Sequence, residues 1–165
     1  MSGAPFRVLV LCTGNSARSQ IAEALLATTG AGRVEAASAG SRPAPRVNPW
    51  ALDVLGEHGI AWAGRPPRGV DVLAGERFDL VITVCDDARD ACPYLPGAEA
   101  RVHWGLPDPA LESEPAAARR AFGRTYDALA RRIDALLALP LESLDARTLA
   151  ERAQAIHEDA SAAGA

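Results

Sequence analysis

Residues 12–20, Cys-Thr-Gly-Asn-Ser-Ala-Arg-Ser-Gln, combine a thiol, a glycine and an arginine at a spacing that suits chemistry on an oxyanion. The run Val-Leu-Val-Leu at 8–11 precedes them and good helix formers follow, which predicts a strand, a tight loop and a helix. The amides of such a loop converge on one point, and the helix N-terminus adds positive potential there. Arg18 supplies a planar fork of donors. We expect the following residues to bind the oxyanion: Thr13, Gly14, Asn15, Ser16, Ala17, Arg18 and Ser19.

Cys12 opens the same loop and is therefore the candidate nucleophile. A thiolate is itself an anion, so the potential that attracts an oxyanion also favours the thiolate at neutral pH. The alternative is a buried structural cysteine at the end of a strand. The spacing of Cys12 to Gly14, Asn15 and Arg18 favours the catalytic interpretation.

Two further cysteines, Cys85 and Cys92, are separated by six polar or small residues. A disulfide needs Cα atoms within about 7 Å, which one rigid helix of that spacing would not provide. The spacing alone therefore leaves two alternatives open, a redox pair in a segment that rearranges or two independent core cysteines. Three cysteines make no secreted disulfide framework, so we expect a cytoplasmic protein.

Length and composition indicate one globular domain of the α/β kind. The chain has 165 residues, 48% of them hydrophobic, which is enough for a sizeable core. The formal net charge of −4 and the scattered arginines argue against nucleic acid as a partner. No apolar run is long enough to cross a bilayer, so we expect no membrane association.

Strands and helices are predicted to alternate along the chain. Strands are expected at 34–39, 78–84 and 102–104, and the run Leu-Val-Ile at 80–82 is typical of a strand buried on both faces. Asn48 should cap a helix that begins at Pro49. The fold class is therefore α/β, a doubly wound parallel four-stranded sheet with helices on both faces and its site at the carboxyl ends of the strands.

The remaining segments are predicted from periodicity and turn residues. In the helix after the loop, Ile21, Ala24, Leu25 and Thr28 should share the buried face, and residues 63–69 should form an exposed loop. A long helix carries apolar residues from Phe122 to Leu136. We divide the chain into a catalytic domain, 1–140, and a C-terminal helical appendage, 141–165, capped by Ser143 or Asp145 and frayed from residue 161.

The longer string at 12–23, CTGNSARSQIAE, resembles the arsenate reductase branch of the low-molecular-weight protein tyrosine phosphatase superfamily. The likeness to thioredoxin-coupled members continues through the strings at 84–93, 101–105 and 108–110. It implies that Cys12 is the nucleophile, Arg18 the oxyanion clamp, Cys85 and Cys92 the relay thiols, and Asp108 an acid/base. It also implies arsenate as substrate, with phosphate or sulfate competing, and thioredoxin as the partner of a monomer.

Two departures from that family accompany the resemblance. Ala17 stands where many members have a further cysteine, which lies outside the relay. Asn15, Glu23 and Ser38 resemble part of the potassium site of some members, but Arg68 stands near the expected position of an acidic ligand. The three histidines have no ligand spacing with the cysteines. We therefore expect no cofactor and no metal, with a weak potassium site at Asn15, Glu23 and Ser38 as the alternative.

Other functions use fewer of these residues. A tyrosine or small-phosphoester phosphatase would need Cys12, Arg18 and Asp108, and would leave the other two cysteines idle. A non-catalytic oxyanion sensor, or a carrier of a phosphoryl group, would bind anions without turnover. A small thiol such as mycothiol or glutathione could replace thioredoxin, although Cys85 and Cys92 argue against it. Without the resemblance, Asp108 before Pro109 is equally consistent with a turn.

Overall fold

The computed structural model of the chain describes residues 4–62, 65–85 and 97–164. Cys92 lies outside the described residues. Four strands form one parallel sheet in the order β2-β1-β3-β4. Their bounds are β1 Phe6–Cys12, β2 Val34–Gly40, β3 Phe78–Thr83 and β4 Ala98–His103. The predicted fold class, a parallel α/β sheet of four strands, is confirmed.

Strand β1 lies at the centre of the sheet and is covered on both faces. Val8, Leu9, Val10 and Leu11 point alternately to opposite faces, and all four are 0% exposed. An uninterrupted apolar run is what such a position requires, because neither face contacts water. The same constraint makes Leu80, Val81 and Ile82 of β3 buried, as their sequence indicates.

Within residues 4–62, 65–85 and 97–164, four α-helices connect and cover the strands. They are α1 Arg18–Thr29, α2 Pro49–Glu57, α3 Pro115–Leu137 and α4 Ala146–Ala162. Short 3₁₀ helices span Val70–Leu73, Pro109–Leu111 and Leu141–Ser143. Among the described residues, no helix has the length and apolar character that a bilayer crossing requires.

The helix caps follow the predicted chemistry. The Asn48 carboxamide accepts from the Trp50 amide at 2.9 Å, with Pro49 in the first turn of α2. Of the two candidate caps for α4, Asp145 is used, and its Oδ1 accepts from the Thr148 amide at 2.7 Å. Each cap satisfies an amide that has no partner inside its helix.

Helix α1 differs from its prediction in which residues are buried. Ile21, Ala24 and Leu25 are buried as expected, but Thr28 is exposed. The first nine residues of α1 are all buried, including polar Ser19, Gln20 and Glu23. Periodicity could not reveal this, because a helix buried all round shows no single apolar face.

Helix α4 packs against the edge of the sheet near the end of β4. Leu149 and Ala153 are buried, and the Trp104 indole donates to the Ala153 carbonyl at 2.9 Å. Gln154 completes a reciprocal pair with His103, accepting from its amide and donating to its carbonyl at 3.1 Å each. The C-terminal segment is thus fastened to the strand end that precedes residues 105–108.

Two element boundaries differ from the prediction. Strand β4 begins at Ala98 rather than residue 102, since pairing with β3 overrides the weak β propensity of its alanine and glutamate residues. Helix α4 continues through Ser161, where fraying was expected. The Arg132 guanidinium, buried between α3 and α4, donates to the Ser161 hydroxyl at 3.3 Å and stabilises that last turn.

The core position of Leu9 predicts a large effect of truncation. Leu9→Ala should lower the free energy of unfolding by about 2–5 kcal/mol, because it leaves a cavity between layers that are already closely packed. Leu111→Ala, the same change at a residue that is 80% exposed, should alter it by less than about 0.5 kcal/mol. Urea denaturation of both variants measures the difference, and equal losses would contradict the packing described.

The free energy of unfolding should decrease as the pH is lowered, because of His157. The Arg132 Nε–H donates to His157 Nδ1 at 3.1 Å, so the bonded imidazole is neutral at that nitrogen. Burial, with the nearby positive charge of Arg132 and the proximity of His103, lowers the pKa of His157 below its ordinary value. On acidification, His157 is therefore protonated at a higher pH in the unfolded chain than in the folded one. The contribution of His157 to stability is complete above pH about 6.5 and is lost as the pH falls below that value.

His157→Gln retains an acceptor for Arg132 but does not titrate. Between pH about 7 and 5, the free energy of unfolding of the parent chain should decline more steeply than that of the variant. Denaturant titrations at a series of pH values check this, and parallel pH dependences would exclude the contribution of His157.

Candidate functional site

The loop between β1 and α1 is held from outside by its carbonyl oxygens. The carbonyls of Cys12, Thr13, Gly14 and Ser16 accept hydrogen bonds from amides of residues 41–48, at 2.8 to 3.2 Å. In a planar trans peptide the N–H points opposite to the C=O. These bonds therefore turn the amides that follow toward the concave side of the loop, where they can bind an anion.

Asn15 adopts the backbone conformation that bends this loop. Its φ of 53° lies in the left-handed region, which asparagine tolerates better than most residues with a side chain. Its side chain compensates for the cost, because Nδ2 donates to Ser19 Oγ at 2.8 Å and to Ser38 Oγ at 2.9 Å. The Arg68 amide donates to Asn15 Oδ1 at 3.1 Å. Three separate segments thus hold the bend.

Cys12 lies at the end of β1 with its thiol against the start of α1. It is a free cysteine, 3% exposed, and its Sγ is 3.0 Å from Ser19 Oγ. A hydroxyl that donates to sulfur stabilises a thiolate, and the N-terminus of a helix acts in the same direction. No side chain caps the first turn of α1, so its amides also face the loop.

Arg18, the first residue of α1, extends along the wall of the site. Its Nη1 donates to the Leu106 carbonyl at 2.8 Å, which fixes the direction of the guanidinium. The buried Nε–H has no acceptor among the described residues. Since a buried donor without a partner is costly, this N–H is a donor suited to a bound oxyanion.

Cys85 follows β3 as Cys12 follows β1, and the parallel sheet brings the two strand ends side by side. The Val84 amide donates to the Leu11 carbonyl at 3.0 Å, which extends the β1–β3 pairing to the cysteines. The Cys85 Sγ is 3.1 Å from Thr13 Oγ1, and the side chain is buried. Two thiol-bearing residues therefore meet at one loop, as the predicted strand ends indicated.

Asp108 has the turn function that its sequence allows, and it also lines the cavity beside Arg18. Its Oδ1 accepts from the Ala110 amide at 2.9 Å and caps the short 3₁₀ helix after Pro109, which is the turn function. Its Oδ2 is 3.9 Å from Arg18 Nη2. The carboxylate therefore lies beside the guanidinium with one oxygen directed to the site.

These side chains line one open cavity of about 730 Å³. One wall is the loop with Cys12 and Arg18, and Cys85 adjoins it. The opposite wall is residues 105–108 with Ala110 and Leu111, so the described lining contains no aromatic ring. The cavity is more than large enough for a tetrahedral oxyanion. The reactive groups that line it are two sulfur atoms, a guanidinium and a carboxylate, which suit thiol chemistry on a bound anion.

Beneath the loop lies a buried polar cluster that contains the residues resembling a potassium site. Glu23 is 1% exposed, and its carboxylate accepts from Ser38 Oγ at 2.6 Å and from the Arg65 guanidinium. Asn15 joins the cluster through Ser38. The described residues contain no group of three or more His, Cys, Asp or Glu side chains that could hold a metal ion. The charge facing Glu23 in this structure is a guanidinium.

Of the predicted exposed loop at 63–69, the described residues 65–69 do form a loop, but only Pro66 among them is exposed and the others are partly buried. Arg65 and Arg68 are half-buried against the loop, and Arg68 Nε donates to the Ser38 carbonyl at 3.1 Å. Gln20 Nε2 donates to the Arg65 carbonyl at 2.8 Å. The prolines and glycines of this segment indicated a loop, but nothing local showed that it packs under the oxyanion loop.

Several functional contacts were missed because they involve backbone or distant residues. The Leu106 carbonyl that orients Arg18 and the Thr13 hydroxyl that meets Cys85 carry no motif signal. Gly40, at the end of β2, approaches the loop so closely that a Cβ would lie 2.4 Å from the Thr13 carbonyl oxygen. The position of Gly40 just after a predicted strand was the available signal for it.

Comparison with known proteins gives matches that span the site. A sequence profile of the low molecular weight phosphotyrosine protein phosphatase family matches residues 7–150. The arsenate reductase of Halalkalibacterium halodurans is 37% identical over 127 residues, which are 76% of this chain and 91% of that protein. The profile match includes Cys12, Arg18, Cys85 and Asp108.

Solved structures resemble the chain over a similar extent. An arsenate reductase in the phosphate binding state has a TM-score of 0.64 at 29% identity, covering 78% of this chain and 97% of its own. A thioredoxin-dependent arsenate reductase of Corynebacterium glutamicum has a TM-score of 0.56 at 32% identity, covering 81% of this chain and 64% of its own. The chain is thus similar to these proteins in sequence and in fold.

The close approach at Gly40 predicts a test of the loop geometry. Gly40→Ala should displace the Thr13 carbonyl and weaken phosphate binding by about tenfold to a hundredfold, since misplacing a binding group by about 1 Å costs that much. Gly123→Ala is the matched control, because a Cβ there meets nothing within 4 Å. Isothermal titration with phosphate measures both, and unchanged affinity in Gly40→Ala would contradict the anion-binding assignment of the loop.

Proposed function

Because this chain belongs to the low molecular weight phosphotyrosine protein phosphatase family, we propose that it is an arsenate reductase that works by a three-cysteine relay regenerated by thioredoxin. The observation that carries the proposal is that Cys12 and Cys85 line one cavity together with Arg18. A phosphatase needs Cys12 and Arg18 but has no use for a second thiol. The arsenate reductases among the relatives support the same substrate.

Binding of arsenate is the first step. Arsenate resembles phosphate in shape and charge, so the inward amides of the loop and the unpartnered Nε–H of Arg18 bind its oxygens. The bond from Arg18 to the Leu106 carbonyl keeps the guanidinium in position before the anion arrives. Preorganised donors of this kind lose little energy on reorganisation when charge moves onto the anion.

Attack by Cys12 is the second step. The thiolate, stabilised by the Ser19 hydroxyl at 3.0 Å, forms an S–As bond, and one oxygen leaves arsenic as water. Asp108 Oδ2, beside Arg18, takes the proton that the Cys12 thiol loses and passes it to that oxygen. The product of this step is a Cys12–arsenate adduct that still contains As(V).

Transfer of two electrons follows through sulfur. The Cys85 thiolate attacks Cys12 Sγ, the S–As bond breaks with its electron pair on arsenic, and arsenite leaves as As(III). The Thr13 hydroxyl, 3.1 Å from Cys85 Sγ, stabilises the attacking thiolate. Cys92 then attacks Cys85, which restores the Cys12 thiol and leaves a Cys85–Cys92 disulfide for thioredoxin to reduce. The proposal further takes the protein as a cytoplasmic monomer without cofactor.

Hydrolysis of phosphoesters is the second candidate function. The cavity of about 730 Å³ exceeds what arsenate fills, and its outer wall contains apolar Ala110 and Leu111. Against it, the described lining offers no aromatic ring to stack on a phenyl phosphate. Activity on a chromogenic phosphoester is therefore the natural comparison for the arsenate assay.

The relay predicts distinct behaviour for the Cys12 and Cys92 variants. In a coupled assay of arsenate, thioredoxin, thioredoxin reductase and NADPH, the parent chain should oxidise NADPH continuously, whereas Cys12→Ser should be inactive. Cys92→Ser should release one arsenite per protein and then stall as a Cys12–Cys85 disulfide, which mass spectrometry of peptides detects. The matched control is Ser143→Ala, a substitution in the short helix before α4, which should leave turnover unchanged.

Sustained thioredoxin-dependent turnover by Cys92→Ser would overturn the relay. Rapid phosphoester hydrolysis without arsenate reduction would favour the phosphatase. Anion binding without either activity would identify an oxyanion sensor.

A further inference from the structure

The cavity contains an acceptor as well as its donors for an anion. The donors include the unpartnered Nε–H of Arg18 and the neighbouring Nη2. Asp108 is the one carboxylate in the described lining, and its Oδ2 lies 3.9 Å from Arg18 Nη2. A carboxylate oxygen only accepts hydrogen bonds. The part of a ligand that meets Asp108 Oδ2 therefore has to include a donor.

The direction of the Asp108 carboxylate is fixed by the turn that follows it. Its Oδ1 accepts from the Ala110 amide at 2.9 Å and caps the short helix Pro109–Leu111. The two oxygens of a carboxylate lie in one plane, so the bonded Oδ1 determines where Oδ2 points. The acceptor beside Arg18 is therefore held in place by the backbone before any ligand binds.

The guanidinium of Arg18 is held equally firmly, and the two groups do not satisfy each other. Arg18 Nη1 donates to the Leu106 carbonyl at 2.8 Å, which leaves Nη2 facing Asp108 Oδ2. Their separation of 3.9 Å is too long for a hydrogen bond. One ligand oxygen can lie about 2.8 Å from both atoms. A hydroxyl oxygen in that position accepts from Nη2 and donates to Oδ2, so the pair fits a hydroxyl group.

An anion oxygen without a proton fits this position poorly. It accepts from Arg18 Nη2, but it turns a lone pair and negative charge toward the Asp108 carboxylate. Hydrogen arsenate and hydrogen phosphate carry a hydroxyl group near neutral pH, whereas sulfate carries none. Binding sites discriminate between similar ligands by such unmatched groups as well as by attractive contacts. The geometry therefore distinguishes two classes of tetrahedral anion that have the same size and shape.

We propose that Asp108 is a specificity-determining residue, which selects oxyanions with a hydroxyl group, such as hydrogen arsenate and hydrogen phosphate, over sulfate. The inference rests on the proposed function in taking this cavity as the arsenate site, and it ranks phosphate above sulfate as a competitor. It is distinct from proton transfer by Asp108, because the selection acts in the bound complex before any bond to Cys12 forms.

The test is the ratio of phosphate to sulfate affinity, measured by isothermal titration calorimetry. At pH about 8 both ligands are tetrahedral dianions and differ by one hydroxyl proton. The parent chain should bind phosphate about tenfold more tightly, since sulfate leaves an acceptor in the site without a donor. Monofluorophosphate, a dianion with fluorine in place of the hydroxyl group, should bind like sulfate, with a fluoride electrode confirming that it stays intact.

Asp108→Asn replaces the acceptor by a donor. The carboxamide oxygen takes the position of Oδ1, because the Ala110 amide needs an acceptor there, and Nδ2 then faces the site. The phosphate-to-sulfate ratio should fall to about two or less. Loss of the negative charge strengthens binding of both dianions alike, so the ratio reports the hydrogen bond alone. Glu112→Gln is the matched control, because it removes a charge at the end of the same short helix without lining the cavity.

Equal affinities of the parent chain for phosphate and sulfate would overturn the proposal, and so would a parent-like ratio in Asp108→Asn. The three titrations of the parent chain need no substitution, so they decide the question even if a variant does not fold. Anion binding does not depend on turnover, so the two proposals fail separately. Absence of arsenate reduction with the expected ratios would refute the function and leave the selectivity intact, whereas arsenate reduction with equal affinities would refute the selectivity alone.

Discussion

The hydrogen-bonding requirement of a buried polar loop dominates this structure. Residues 12–18 have to turn their amides inward, which forces their carbonyls outward into a protein interior where each needs a donor. Residues 41–48 supply the donors, and Asn15, Ser38 and Arg68 hold the bend from below. The proposed anion-binding surface is thus the free side of a loop whose outward carbonyls are hydrogen-bonded to the rest of the protein.

Much of the fold follows from local pattern. The apolar run at 8–11 and the run at 80–82 identified the two central strands, because strands covered on both faces have no polar alternation. Asn48 and Asp145 marked two helix starts through side-chain chemistry that acts within three residues. The start of β4 was missed because its alanines and charged residues become a strand only by pairing with β3.

The site was predictable in part, for the same reason. Residue type and neighbouring sequence were enough to predict Cys12, Arg18 and Asp108 as site residues. The predicted strand ends of one parallel sheet indicated that Cys85 lies near the same loop as Cys12. The contacts of the Leu106 carbonyl and of Arg65 could not be predicted, since any residue has a carbonyl and a proline-rich segment resembles an exposed loop. Contacts between residues more than forty positions apart depend on the completed fold, and single-sequence periodicity contains no record of them.

The hydrogen bonds between α4 and the end of β4 have a thermodynamic consequence. Trp104 and His103, which α4 binds through Ala153 and Gln154, directly precede the backbone that orients Arg18. Any local opening that detaches α4 also loosens this backbone, and linkage makes the relation reciprocal. Anion binding at Arg18, as proposed, should therefore slow hydrogen exchange in α4, a helix that the anion does not touch.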